Sequence, residues 1–374
     1  MRRAAACAAL AAAAFAGCSS APTGPKPAPL PELAGTKAVQ VLWRAQVGDA
    51  GAFFFAPAVV GDAVYAASRD GNVVRLDAAS GKRRWSAQAE SRLSAGVGAS
   101  ASSVAVADEE GVVTVFEAET GKLRWRARVS SEVLAPPVLA PGLVLVRSID
   151  NRIFAFDEVD GKRRWVYQRA PQSLILRTPA GAVVDADTVY AGFRGGKLAA
   201  IALTNGGLRW EATVALPKGA TELERVTDVV GDPVLEGREV CAAAYQGRVA
   251  CYEAVSGRQT WGRELSSLTG VSADARYAYA ADERGAIHAL DRTTGRSVWR
   301  QERLAHRGLT LPVPAGSAIA SGDFEGYVHF LARDSGEFIA RHRSGGGAVR
   351  AAPVLLPKGL LVQTSEGALH ALAP

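Results

Sequence analysis

Residues 70–85 read DGNVVRLDAASGKRRW, and this stretch recurs along the chain with its spacing intact. Gly71 opens it, a short apolar strand follows, Gly81 comes ten positions later, and Trp85 lies four beyond that. The same frame fits Gly111/Gly121/Trp125, Asn151/Gly161/Trp165, Gly196/Gly206/Trp210, Gly247/Gly257/Trp261 and Gly285/Gly295/Trp299. A seventh copy, Gly326/Gly336, carries Ala340 where the Trp belongs, and an eighth begins at Gly367 and meets the end of the chain at Pro374. A period of roughly 40 residues with short strands and two turns per repeat is the signature of a β-propeller.

Each element of the frame has a physical role. The first Gly sits where the hairpin between two strands needs positive φ, as in a type I turn closed by a bulge. Asn151 is the replacement such a site tolerates best. The second Gly follows Ser80, Thr120, Asp160, Asn205, Ser256, Thr294 or Ser335, which is again turn chemistry. The Trp falls on the last strand of a blade, where its apolar face can pack between neighbouring blades.

Trp43 is the one Trp outside the frame. Val39 to Val47, VQVLWRAQV, reads as a last strand with no repeat before it, while the copy from Gly367, GALHALAP, has the preceding strand but no Trp strand. The simplest account joins them, so that the N-terminal strand completes the C-terminal blade and removes two exposed sheet edges. The expectation is an all-β fold: an eight-bladed β-propeller of four-stranded antiparallel blades over residues 38–374, closed by the N-terminal strand. Inner strands are marked by Pro57, Pro136, Pro233, Pro314 and Pro353 before apolar runs.

The first 37 residues have a different character. Arg2 and Arg3 precede an Ala-rich apolar run from Ala4 to Phe15, then Ala16-Gly17-Cys18. A basic n-region, a short apolar core and small residues at a cleavage site make residues 1–17 an export signal. The F-A-G-C ending resembles a bacterial lipobox, with Phe15 in place of the usual Leu, in which Cys18 becomes the lipid-modified N-terminus. A plain signal peptide with an incidental Cys is the alternative. Ser19, in place of an inner-membrane retention Asp, favours the outer membrane. Residues 18–37 contain Pro22, Pro25, Pro27, Pro29 and Pro31 and read as an extended linker that spaces the body from the membrane.

Composition bounds the partners. The chain of 374 residues is 48% hydrophobic and 21% charged, which suits a globular body. Without Arg2 and Arg3 it holds 41 basic against 37 acidic residues, a net of about +4. The basic residues cluster in the repeating turns, as in Lys82-Arg83-Arg84 and Lys162-Arg163-Arg164, and read as solvated blade edges with no nucleic acid as partner.

No catalytic constellation emerges. His288, His329 and His370 occupy one frame position in consecutive copies, but equivalent positions on packed sheets lie about 10 Å apart, too far to share a metal at about 2 Å. No H-E-x-x-H, P-loop, G-x-S-x-G or Cys-His nucleophile is present. The expectation is therefore no catalytic residue, no metal and no cofactor. Cys241 and Cys251 flank a hairpin with Gly247 as its bulge residue, which sets them opposite one another as a non-hydrogen-bonded pair about 4.5 Å apart at Cα. A disulfide fits that separation and an oxidising compartment, and two reduced buried thiols are the alternative.

Two stretches depart from the repeat. ALPKGATELERVTDVVGDP lengthens the copy between Trp210 and Trp261, and RAPQSLILRTPA, Arg169 to Ala180, sets apolar residues beside Arg177 between two prolines. Lengthened loops are where propellers carry function, although Leu174 and Leu176 could equally begin an inner strand.

The frame resembles the PQQ-type propeller repeat, as at Ala289-Leu290-Asp291. The complete chain resembles the BamB family of outer-membrane protein assembly factors, lipoproteins of the β-barrel assembly machinery. The specific stretches are SLILR at Ser173–Arg177, TELERVTDV at Thr221–Val229 and GDFEGYVHFLARDSGEFIA at Gly322–Ala340, where the family also breaks the Trp frame. The resemblance implies a non-enzymatic scaffold, lipid-anchored in the outer membrane and facing the periplasm. It would bind the periplasmic domains of the barrel subunit BamA, with unfolded outer-membrane proteins as further candidates. Family contact residues carry over to Leu174, Leu176, Arg177 and Asp228, whereas a second acidic position is Val230 here. The competing expectations are a pyrroloquinoline quinone dehydrogenase, whose adjacent Cys pair and long catalytic loops are missing, and a periplasmic propeller that binds glycan or peptide.

Overall fold

The computed structural model describes residues 25–33, 38–170, 174 and 176–374, so Cys18, Ser173 and the export segment lie outside the described residues. Eight four-stranded antiparallel sheets follow one another along the chain and form the blades of a β-propeller. Blade 1 runs outward through Ala58–Val60, Ala63–Ala67, Asn72–Asp77 and Arg83–Gln88. Blade 8 is made of Val354–Leu356, Gly359–Gln363 and Ala368–Ala373, with Gln40–Gln46 as its outer strand. The N-terminal strand thus closes the ring, as its orphan Trp requires.

Middle strands are buried on both faces because a blade packs on either side of them. Ala63–Ala67, Ser103–Ala107 and Tyr277–Ala281 are buried at every position and read as continuous apolar runs of small and β-branched residues. Outer strands alternate instead, and the exposed positions of Arg83–Gln88 and Leu123–Arg128 include Arg83, Arg84 and Arg126. Charge there discourages edge-to-edge pairing. Strand alternation puts the turns between second and third strands on the same face as the connections between blades. The first and last hairpin turns of each blade share the opposite face.

The Trp and second Gly of the frame meet across blades, not within one. Each Trp indole N–H donates to a carbonyl of the following blade: Trp43 to Ala78, Trp85 to Ala118, Trp125 to Glu158, Trp165 to Leu203, Trp210 to Ala254, Trp261 to Arg292 and Trp299 to Arg333. The ring rests on the last-turn Gly of that blade. A Cβ on Gly161, whose φ is +71°, would stand 2.6 Å from Trp125 Cδ2, closer than any packed pair of carbons. The second Gly therefore answers two demands, a left-handed turn and a neighbour's indole.

Between blades 7 and 8 this clasp is missing, for a topological reason. The third and fourth strands of blade 8 are the two ends of the chain, and no turn joins them. A Trp in blade 7 would have nothing to rest on, and Ala340 occupies its place, 1% exposed. Val39, Val41 and Ile339 pack around it with Phe330, Leu360 and Leu372. His342 Nε2 and His370 Nδ1 meet across the same seam at 3.1 Å.

Several local expectations are corrected. In blade 5 the left-handed residue is Gln246, φ +48°, not Gly247. Gly247 is small for another reason: a Cβ there would stand 2.5 Å from the Cβ of Ala215, in the insertion that packs against it. Pro57, Pro136 and Pro353 do precede inner strands, but Pro233 and Pro314 lie within Val229–Glu236 and Val313–Ala315. An inner strand pairs on one side only, so it tolerates a residue without N–H. The described part of the linker lies on the propeller. Ala28 N–H donates to Ala305 O (2.8 Å), Arg307 Nη1 to Ala28 O (3.1 Å) and Arg341 Nη2 to Pro31 O (2.7 Å). A Pro-rich strand has carbonyls without internal partners, and the arginines of blade 7 and its entry take them up.

Cys241 and Cys251 are directly paired in register with Cα atoms 4.0 Å apart, and their sulfurs are joined. Two of the repeated histidines serve their own blades, His288 bonding Asp282 and His329 bonding Asp323, each at 2.9 Å, while His370 meets His342 across the seam. Among the described residues, no three His, Cys, Asp or Glu side chains come together as a metal-holding group.

Candidate functional site

The connection from blade 3 to blade 4 spans residues 169–181, since Arg163–Gln168 ends one blade and Ala182–Asp185 begins the next. Leu174, Leu176 and Arg177 therefore belong to the connection and not to an inner strand. Leu174 is 43% exposed, an unusual position for a Leu in a loop without sheet partners. Leu176 is half-buried and turned down toward Leu134, Ile149 and Thr178. Arg177 is exposed along its stem, but its guanidinium already grips Glu132, in the preceding connection, through two contacts of 2.7 Å.

The neighbouring connection, residues 214–228, is the long insertion. Thr221 and Glu224 form a capping box: the Glu224 carboxylate accepts from Ala220 and Thr221 N–H, and Glu224 N–H donates to Thr221 Oγ1. One helical turn follows and carries Leu223, 72% exposed, and Leu216 earlier in the same insertion is exposed too. Neither Leu was singled out in the sequence, because a mixed-charge insertion hides two isolated apolar residues. The capping spacing T-x-x-E was the available signal that this loop is shaped.

Asp228 ties the two connections together. It is 4% exposed, so it offers no carboxylate to a docking partner in this conformation. One carboxylate oxygen accepts from Leu176 N–H at 3.2 Å, and the other from Gly195 N–H at 3.3 Å. Its backbone bridges Arg194. Asp228 acts on this surface as a positioning residue that holds the 174–177 segment from below. Val230, at the other position considered, is buried in the inner strand.

Beneath Leu176 lies a pocket lined also by Arg147, Arg194, Asn151 and Asp228. Burial pulls the Arg147 guanidinium down to about 10, helped by Arg194 beside it. Arg194 is lowered by burial too, against the pull of Asp228. The exposed Leu174, Leu216 and Leu223 lie on the connections between blades, on the same face as this recess and its two arginines.

A family model described as "Outer membrane protein assembly factor BamB" matches residues 36–92 and 69–301. The chain belongs to the BamB family. A BamB of Bordetella pertussis is 44% identical over 345 residues, covering 92% of this chain and 89% of that one. A BamB of Burkholderia pseudomallei is 41% identical over 362 residues, 96% and 95% of the two chains. Among solved structures, BamB from Moraxella catarrhalis superposes with a TM-score of 0.83 at 27% identity, over 90% of this chain and all of that one. A quinohemoprotein alcohol dehydrogenase from Comamonas testosteroni has a TM-score of 0.73 at 12% identity, covering 89% of this chain and 76% of that one, which is a likeness of fold alone. Membership of the BamB family makes the chain an outer-membrane protein assembly factor.

Proposed function

We propose that this chain is a non-enzymatic scaffold of the β-barrel assembly machinery, anchored through a lipid on Cys18 to the outer membrane and facing the periplasm. It binds the periplasmic domains of BamA through the connections of blades 3 to 5, and so assists folding and insertion of outer-membrane proteins. The observation that carries the reading is an exposed Leu174 two residues from Leu176, whose N–H is held by the buried Asp228 of the neighbouring connection. A loop held in this way loses little entropy on docking, so the apolar area it buries adds to affinity. Leu174 alone brings about 1 kcal/mol at 25 cal/mol per Å², and Leu216 and Leu223, exposed on the neighbouring connection, offer further apolar area. In an exported chain the Cys241–Cys251 pair is a disulfide, and mass mapping without reductant should recover that link.

The test is the double variant Leu174→Ala with Arg177→Ala, assayed for binding to purified BamA periplasmic domains beside a thermal melt. Binding is expected to weaken about tenfold or more with the melting temperature unchanged. Normal binding by a variant that melts earlier would assign the loop to the core and overturn the site.

A further inference from the structure

We propose that Arg147 and Arg194 form a receptor for one carboxylate side chain of the docking protein, seated in the recess beneath Leu176. This rests on the reading that the connection face binds a partner protein, and it names the chemistry that partner must present. Arg177 is poorly suited to the task, since Glu132 already holds both ends of its guanidinium fork. Arg147 and Arg194 are different. Among the described residues, Arg147 donates only one bond, to Gly181 O at 3.3 Å, and neither guanidinium has a carboxylate at ion-pair distance.

The nearby carboxylates are committed elsewhere. Asp228 accepts from the N–H groups of Leu176 and Gly195. Asp232 accepts from Gly181 N–H at 2.7 Å. Asp150 accepts from Ser130 at 2.6 Å, bonds Ser148 and pairs with Arg152 at 3.2 Å. Arg147 is further fixed by the ring of Phe193, whose centroid lies 5.0 Å from its Cζ. A positioned Arg147 and an Arg194 beside it, both with donors unfilled among the described residues, match the two oxygens of a carboxylate in a recess that water leaves on docking. Burial lowers both guanidinium groups even with Asp228, Asp232 and Asp150 near enough to pull the other way, so a further carboxylate in direct contact would be favoured.

The inference requires that the docking segment set an Asp or Glu beside an apolar residue, the acid reaching down while the apolar group covers Leu174. Removing one member of a desolvated charge pair usually costs far more than removing a rim charge.

The experiment uses the full mature chain and purified BamA periplasmic domains. Arg194→Gln is the main variant, because among the described residues no side-chain hydrogen bond holds Arg194, and Arg194→Lys is its conservative partner. Arg194→Gln should weaken binding about thirtyfold or more while Arg194→Lys recovers part of the loss, with melting temperatures unchanged. Replacing the BamA acids by amides one at a time should find a single side chain whose loss adds nothing in the Arg194→Gln background. If Arg194→Gln binds as wild type while Leu174→Ala with Arg177→Ala does not, the receptor is rejected and the docking face stands. A wild-type chain that fails to bind BamA overturns both.

Discussion

Seven seams of the ring are clasped by an indole on a glycine turn, while the eighth, between blades 7 and 8, is closed by aliphatic side chains and a pair of histidines. The clasped seams are continuous in sequence, so each can be specified by one repeated motif. The eighth joins the two ends of the chain, and no repeat unit can supply both halves of it. A closed propeller therefore needs a different set of contacts at the place where the chain meets itself.

The largest test of that difference removes the closing strand. Deleting residues 39–47 strips blade 8 of its outer strand and takes away Trp43, Val39 and Val41 together. Loss of a buried Trp alone costs about 3–5 kcal/mol, a large part of an ordinary folding stability. Thermal and urea melts should find no cooperative native state, and an undiminished melt would show that the ring does not depend on its closure.

A smaller effect distinguishes the two kinds of seam. Trp125→Ala leaves Gly161 without its indole and should cost about 3–5 kcal/mol. Ala340→Trp adds an indole where no turn awaits it, and should cost about 1–3 kcal/mol through overpacking against Val39 and Val41. Chemical denaturation measures both. A stabilising Ala340→Trp would mean that the eighth seam had room for a clasp.

The smallest expected effect is the response to acid. Burial, then His342 and Arg44, hold the His370 imidazole down to about 4, and burial and Arg44 lower His342. Unfolding returns His370 to about 6.5, so the unfolded chain binds more protons below that value. Its stabilising effect is full above pH 6.5 and is lost as pH falls toward 4, by about 2 kcal/mol between pH 7 and 5. His329, also lowered by burial, titrates in the same direction within blade 7. His342→Gln with His370→Gln should therefore flatten the slope without abolishing it. An unchanged slope would remove the seam from the acid response.

Much of this was legible in the sequence because a repeat reports its own geometry. The Trp spacing revealed the blades, the orphan Trp43 revealed the closure, and the hairpin count set Cys241 against Cys251. The frame alone could not tell that a Trp rests on the glycine of the following repeat, since every repeat holds both residues and the within-blade pairing looks the same. Asp228 was visible as an acid but not as a buried one, because its burial depends on a loop 52 residues away along the chain. Arg147 and Arg194 carry no local pattern at all, and only the packing of blade 3 on blade 4 brings a strand residue and a turn residue to one recess.

The docked linker shortens the tether. With Ala28 and Pro31 held on the entry and outer strand of blade 7, only the residues from Cys18 to Pro25 stand between the anchor and the described linker, a span of at most about 25 Å at 3.3–3.6 Å per residue. Under the proposed lipid anchor, the propeller cannot swing at the end of a long cord. It hangs close beneath the headgroups by the rim of blades 6 and 7. The ring order leaves the recess between blades 3 and 4 clear of that suspension point, with blade 5 between them, turned toward whatever stands beside it in the periplasm.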